Sequence, residues 1–551
     1  MKMKIFDRIV LIAIIAGFAA SCTDNYIEIN SDPYGVTDEE MLRDGYALKS
    51  AFINMASSVI SPDINTAQFT ELLLGCDLVG YTATANVKFD NTIANFNPTN
   101  DWSRVLMVSD RVVPLLFTNL KQLQILTDDP VFLAVGNVIK VACMHRVTDA
   151  FGPIPYSEIG LDGKISVPYD SQKKVYERMF EELGAAIEVF NENKASTFNA
   201  AADPIYGGIV ENWLRFANSL KLRLAMRISY ADPELSKKMA EESVRDGYVI
   251  VSNSQNAMFS AWTQEGNSLR VAIRYNIESH DGAECTTGSG DSHAGADIIC
   301  YMNGYNDPRR EKYFTKSEWT YAANDYVGLR HGINIRPYTN YIHQYSGIFF
   351  ENGADEPAVW MTAAEVAFLR AEAAGVFGYN VGGDAQSFYN EGIRLSFEQH
   401  GVSGAEEYIS SSTVPKTTYD DPYGQNNYQT PLTTLPVLWN NAADKEEMQE
   451  RIMIQKYIAN FLLGNEAWAD WRRTGYPRLI PASEEGNRSN GLVDSEKGAR
   501  RMPYPLEEGA NNTENYRTAV SLLAGESSDN HGDAMSTRLW FDCKPNHPYY
   551  K

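Results

Sequence analysis

The sequence predicts a mainly α-helical protein, built of antiparallel helix pairs and interrupted by an irregular, loop-rich region with short β-hairpins. Three observations carry this expectation. Apolar residues recur at helical spacing over 66–80, 103–126, 130–149, 172–192, 208–230, 362–377, 384–400 and 446–463. Two stretches, about 250–355 and 403–442, are instead rich in Gly, Asn, Asp, Ser and aromatics and show little periodicity. The 551 residues, 44% hydrophobic and 22% charged, suffice for a large buried core and are too apolar for a disordered chain.

The N-terminus comes first in the chain and sets the compartment. Residues 1–8 are short and basic, and 9–20 form an apolar run too short to span a bilayer but suited to a signal-peptide core. Ala19, Ala20 and Ser21 then lead to Cys22, a spacing of small residues that suits a lipoprotein signal peptidase. An ordinary secretory signal with an incidental cysteine is the plainer alternative. The expected organisation is a signal peptide at 1–21, a lipidated tether at 22–40 with turn-forming Asp32-Pro33 and Gly35, and one body at 41–551. Residues 1–21 carry three cations and one anion, so their removal takes the net charge from −23 to about −25. Such a chain, with no basic block, repels nucleic acid and anionic surfaces, and a lipid on Cys22 is its expected membrane contact. No later stretch is read as a membrane span.

In the body, helical pairs are expected at about 41–250, 356–400 and 446–463. The clearest helix is 172–192, where Val175, Met179, Leu183, Ile187 and Phe190 share one face and Asp170 or Ser171 stands ready to cap its start. In 208–230, Trp213, Phe216, Leu220, Leu224 and Ile228 make the apolar stripe. Gly382-Gly383 separates two further helices, and the chain beyond 463 reads as irregular. Beside Cys22 there are five cysteines, an odd number that excludes a complete disulfide framework. Cys76 and Cys143 lie in apolar helical contexts and read as buried thiols, whereas Cys285 and Cys300 flank one polar loop and could bridge.

Catalytic signatures are missing. There is no G-x-S-x-G, H-E-x-x-H, P-loop or G-x-G-x-x-G pattern, and none of the eight histidines lies four residues from another. The loop 281–297 (DGAECTTGSGDSHAGAD) offers oxygen ligands without EF-hand spacing, so it reads as a solvated loop with calcium as the alternative; no other cofactor is expected. The informative residues are the aromatics in loop contexts, where no helix stripe accounts for them. The flat C–H faces of sugars stack on such rings while neighbouring polar groups bond the hydroxyls, and the competing reading is that they fill the core under long loops. The ligand-binding candidates are Tyr81, Phe89, Trp262, Tyr275, Trp319, Tyr326 and Tyr341, within a set that also includes Phe96, Tyr301, Tyr305, Tyr321, Tyr338 and Tyr345.

Several local patterns occur in one order: 147–158 (VTDAFGPIPYSE) followed by 167–172 (VPYDSQ), 213–227 (WLRFANSLKLRLAMR), 304–309 (GYNDPR), 361–372 (MTAAEVAFLRAE) with 388–393 (FYNEGI), and 455–457 (QKY) with 468–477 (WADWRRTGYP). Arg501, Tyr504-Pro505 and Trp540 follow. This ordered set behind a lipoprotein signal resembles the SusD/RagB-like nutrient-binding lipoproteins of the Bacteroidetes outer membrane, over nearly the whole mature chain. The motif residues read as structural: Pro153 and Pro155 fix a turn, Arg472 and Arg473 tie carboxylates or carbonyls, Asn218 and Arg223 satisfy buried backbone groups, and Trp102 belongs with them.

The resemblance implies a superhelix of tetratricopeptide-like helix pairs with the ligand site in the loop-rich half. It implies a non-enzymatic lipoprotein on the outer membrane, facing the exterior, that passes oligosaccharide to a SusC-like TonB-dependent barrel. An acidic cluster often follows the cysteine in this group, and here only Asp24 and Glu28 stand near it. A peptide ligand, as in RagB-like members, is the alternative in the same class; a secreted glycoside hydrolase and a purely structural surface protein are the alternatives in other classes.

Overall fold

The computed structural model describes residues 45–85, 92–160, 166–262, 266–270, 272, 292–338 and 341–550. The chain divides into two units, Met1–Ser50 and Ala51–Lys551, and of the first only the opening of helix α1 (Tyr46–Ser57) is described. The signal peptide, Cys22, the tether, Phe89, Tyr275 and Cys285 all lie outside the described residues.

The second unit is mainly α-helical. After α2 (Ile64–Ala67), which runs on as a π-helical stretch Gln68–Cys76, come α3 (Asp101–Met107), α4 (Val113–Leu126), α5 (Pro130–Phe151), α6 (Gln172–Asn193), α7 (Val210–Arg227) and α8 (Pro233–Val244). From α4 to α8 each helix packs on the next in the chain, the arrangement expected of successive helix pairs. Caps explain the starts. Asp129 accepts from Val131 N ahead of Pro130, Asp232 from Leu235 N ahead of Pro233, and Ser171 from Lys174 N. Of the two cap candidates for α6, Ser171 is the one used, while Asp170 accepts from Ser157 N at 2.7 Å and pairs with Lys174.

The helix expected at 103–126 is two helices. Pro114 lies at the start of α4, where its missing N–H is harmless; in mid-helix it would break the ladder. Helix α5 corrects another expectation. It is long and apolar enough to cross a membrane, with mean hydropathy 1.3, but it is mostly buried inside the protein, as a core helix is.

The loop-rich half holds more helix than its composition suggests, including α9 (Ala296–Gly304) and α10 (Arg310–Tyr313). Its strands are short. β1 (Thr82–Thr84) pairs with β5 (Ser292–Ala294), and β4 (Ala257–Phe259) with β6 (Ala358–Met361), all antiparallel and between segments far apart in sequence. Among the described strands the local pair is β2 (Ile154–Pro155) with β3 (Tyr169–Asp170), in the helical half. Helices return with α11 (Ala363–Glu372) on α12 (Ala385–Gln399), a short α13 (Ala405–Ile409), and α14 (Lys445–Ala459), which packs on α11. The C-terminal region carries α15 (Gly464–Thr474), α16 (Leu506–Asn511) and α17 (Thr513–Glu526), where an irregular chain was expected. Nearly every residue of α15 is buried, and its polar residues Glu466, Asp470 and Arg473 are turned into the ion network rather than to water. It crosses the π-helical stretch at Gly75 and Gly464, where a Cβ on either would lie 2.1–2.3 Å from the other segment's backbone.

The motif residues converge on one buried ion network. Arg223 holds Glu365 through two bonds of 2.7–2.8 Å, and Arg227 reaches Asp149, Glu466 and Asp470. Lys456 lies 2.6 Å from Asp470 and 3.1 Å from Glu466, and Arg473 forks onto Glu372 at 2.7 and 2.8 Å. Arg472 instead ties carbonyls, those of Asp149 and Arg500. Asn218 donates to Leu214 O, and the Trp102 indole to Leu73 O at 2.8 Å. Tyr504 donates to the carbonyl of Pro153, in the turn that follows α5. Burial opposes ionisation of Glu466, yet Arg227, Lys456 and Arg223 together hold its carboxyl well below the usual range.

Acid is expected to destabilise this fold from a higher pH than carboxylates alone would dictate. Burial, aided by Arg223, depresses His145 to about 3; burial and Arg309 bring His400 to about 4; burial and Arg500 bring His547 to about 3. Below about 6.5 the unfolded chain takes up protons that the folded chain refuses, so stability falls as pH drops, by about 1.4 kcal/mol per pH unit for each fully depressed histidine. Asp77, raised by burial to about 6, works in the opposite direction, as do Glu71, Asp149 and Glu450, which burial also raises, and His331, which Asp297 raises against its burial, so the net slope is shallower than three histidines alone would give. Urea denaturation between pH 7 and 4 checks the sign. Stability that is constant or rising toward pH 5 contradicts it.

A candidate glycan-binding platform

The sequence around 313–349 builds an extended ribbon. Phe349 N donates to Tyr313 O, Thr315 N to Gly347 O and Glu318 N to Gln344 O, all at 2.9–3.0 Å. At the end of this ribbon stands Trp319, with Tyr341 stacked on it at 6.1 Å and Tyr321 and Tyr345 edge-on at 5.6 and 5.5 Å. The rings of Tyr338 and Tyr341 pack against Tyr423 at 4.8 and 5.0 Å. Trp319, Tyr338 and Tyr345 are buried in an apolar cluster with Ala83, Leu329 and Ile342. Tyr321 and Tyr341 are 68% and 38% exposed, so these two rings face outward from a rigid aromatic base.

Asp421 organises the base. Its buried carboxylate accepts from the hydroxyls of Tyr338 and Tyr345 at 2.9 and 2.7 Å and from the backbone N–H of Tyr423, Gln425 and Asn426 at 3.0–3.2 Å. One side chain therefore fixes the 421–426 turn and two rings. Burial, reinforced by its neighbours, pushes the Tyr345 hydroxyl far above its ordinary range, so it remains a donor.

Beside the rings runs a groove of about 380 Å³, walled by Tyr321 and Tyr326 and rimmed by Asn324, Lys416, Thr418 and Asp420. Tyr321 closes over it by donating to Pro422 O at 3.2 Å. Lys416 and Asp420, both well exposed, lie 3.5 Å apart, and among the described residues the buried Thr418 hydroxyl has no partner. Flat apolar faces next to neutral and paired polar groups match the two-sided surface of a sugar ring.

The sequence candidates separate on this geometry. Tyr341 presents a face, and Tyr326 lines the groove, its own ring 5.4 Å from the Arg310 guanidinium. Trp319 is only 6% exposed and supports the two outer rings, and its indole N–H has no acceptor among the described residues. Tyr81 is a correction: it is fully buried, stacked on Tyr457 at 4.5 Å with its hydroxyl on the Tyr457 carbonyl, so it has no face to offer. Trp262 lies elsewhere, edge-on to Phe259 and donating to Glu356 O. Tyr423 and Asp421 were missed, although the turn-forming run DDPYG at 420–424 marks an ordered loop. The calcium reading loses Asp297, whose oxygens accept from Ile480 N at 2.6 Å and engage His331 at 3.0 Å. Cys76, Cys143 and Cys300 are buried free thiols, and burial pushes Cys143 up to about 11.

Comparison with known proteins agrees with this architecture. The family model SusD-like, described as Susd and RagB outer membrane lipoprotein, matches residues 28–542. A SusD homolog from Bacteroides uniformis is 51% identical with a TM-score of 0.86, over 91% of this chain and 100% of that one. A SusD homolog from Bacteroides ovatus is 36% identical with a TM-score of 0.81, over 91% and 100%. A chitin-binding SusD homolog from Flavobacterium johnsoniae is 33% identical with a TM-score of 0.80, over 90% and 99%. The comparison with curated proteins gives no match. The tetratricopeptide-like helix pairs, the ordered motifs and these matches have one reading: the chain belongs to the SusD-like family of outer-membrane lipoproteins.

Proposed function

We propose that this protein captures oligosaccharide or polysaccharide at the outer face of the outer membrane, held there by acyl chains on Cys22, and delivers it unchanged to a SusC-like TonB-dependent barrel. The observation that carries the reading is the pair of outward rings, Tyr321 and Tyr341, mounted on a buried aromatic base beside a polar groove. The relative from Flavobacterium johnsoniae, described as chitin-binding, supports glycan as the ligand class. Rigid aromatic platforms bind with little loss of side-chain entropy, which suits reversible capture followed by release.

The test is isothermal titration of the mature protein with a panel of chitin, α-glucan, β-glucan and mannan oligosaccharides. At least one binds, without release of reducing ends. Replacing both Tyr321 and Tyr341 with Ala weakens it by about thirtyfold, or about 2 kcal/mol, with unchanged thermal unfolding, since both rings are exposed. Affinity for peptides alone, or turnover of the glycan, overturns the proposal.

A further inference from the structure

A second cavity, of about 310 Å³, lies at the opposite end of the 313–349 ribbon from Trp319, some six residues or about 20 Å along it. Its apolar wall is made by Tyr313, Phe349, Phe350 and Phe461, and Phe349 is 42% exposed. The polar wall includes Gln399, His400 and Asn460. The His400 ring engages the Tyr313 hydroxyl through Nε2 at 3.2 Å, and among the described residues the buried Asn460 side-chain oxygen has no donor. The wall segment 459–463 holds Leu462 at φ 70, a backbone conformation that a branched residue keeps only where its surroundings impose it. Trp262, unused by the platform, does not line this cavity but braces its wall. Its indole fixes the carbonyl of Glu356, another wall residue, at 3.0 Å.

We propose that this cavity is a second carbohydrate subsite, which takes one uncharged sugar ring between the Phe349 and Phe461 side of the wall and the His400 and Gln399 edge. The volume is that of about ten waters, at the small end of ligand pockets, so it holds a single ring rather than a chain. Charge argues for a neutral occupant. Lys312 is paired with Glu351 at 2.5 Å, the Glu356 carboxylate accepts from Asn352, and burial and Arg309 keep His400 uncharged near neutral pH, so among the described residues the wall offers no free cation to an anionic sugar. The choice of sugar as ligand class rests on the uptake reading above; the geometry of the site does not.

The experiment titrates the mature protein with the methyl glycosides of glucose, galactose, mannose and N-acetylglucosamine. At least one is expected to bind with a dissociation constant of about 1 mM. Measured in the Tyr321/Tyr341 double variant, so that the platform does not contribute, Phe349→Ala and His400→Ala each weaken it at least about tenfold, or about 1.4 kcal/mol. His400 is half-buried and Phe349 exposed, and matching thermal melts for either variant make its result decisive. Absence of binding by all four glycosides overturns the inference, as does binding that survives both wall variants. Failure of the platform to hold long glycans is read separately, from the oligosaccharide panel, and leaves this result standing or falling by itself.

Discussion

Glu466→Ala is expected to lower the unfolding free energy by about 3–5 kcal/mol, the range for removing one partner of a buried ion pair. Glu466 faces Arg227, Lys456 and Arg223, all nearly inaccessible to solvent. Without it, three cations share Glu365, Asp470 and Asp149 and keep the desolvation they accepted on folding. The network joins α7, α11, α14 and α15, so its loss loosens the contacts between the two helical halves of the second unit. Glu466→Gln keeps the shape and separates charge from packing: it is expected to fall between wild type and Ala. Urea denaturation followed by far-ultraviolet circular dichroism measures both. A drop below about 1 kcal/mol for Glu466→Ala would place the network among ion pairs that contribute little.

Asp421→Ala is expected to remove glycan binding and to destabilise the 421–426 turn together. It leaves two tyrosine hydroxyls and three backbone N–H groups without their acceptor. Each buried donor so stranded costs about 1–3 kcal/mol, and relaxation toward solvent limits the total to about 3 kcal/mol. The larger effect is on the platform. Tyr423 packs on Tyr338 and Tyr341, so its displacement removes the support of an outward ring, and affinity falls at least about thirtyfold. Asp421→Asn retains an acceptor oxygen and is expected to recover part of both losses. Calorimetric titration beside thermal melts distinguishes the cases; a folded Asp421→Ala protein with wild-type affinity refutes the positioning role.

The helices that were legible in the sequence are those with one wet face. In α6 the buried residues Val175, Met179, Leu183 and Phe190 alternate with charges, and a cap stands at its start. α9 was not legible, because burial on every side erases the contrast that periodicity measures; α15 keeps that contrast, but its eleven residues are too few for it to stand out. α17 buries only Ala519 and Leu523, too narrow a stripe to stand out. Among the aromatics, composition pointed to a region and could not rank its members. Tyr81 and Tyr341 both occupy loop contexts, yet one is stacked in the core and the other faces solvent.

By itself the sequence determined the helical class, the loop-rich half, the family through its ordered motifs, and the structural character of those motifs. Each of these depends on residues near one another in the chain or on their order along it. Only the tertiary structure decided which rings present a face, that Asp421 binds two tyrosines some eighty residues away, and that Trp262 bonds the Glu356 carbonyl while Trp319 lies in a buried aromatic cluster. Exposure and the meeting of distant side chains are properties of the packed chain, because long-range contacts rather than local propensity set them.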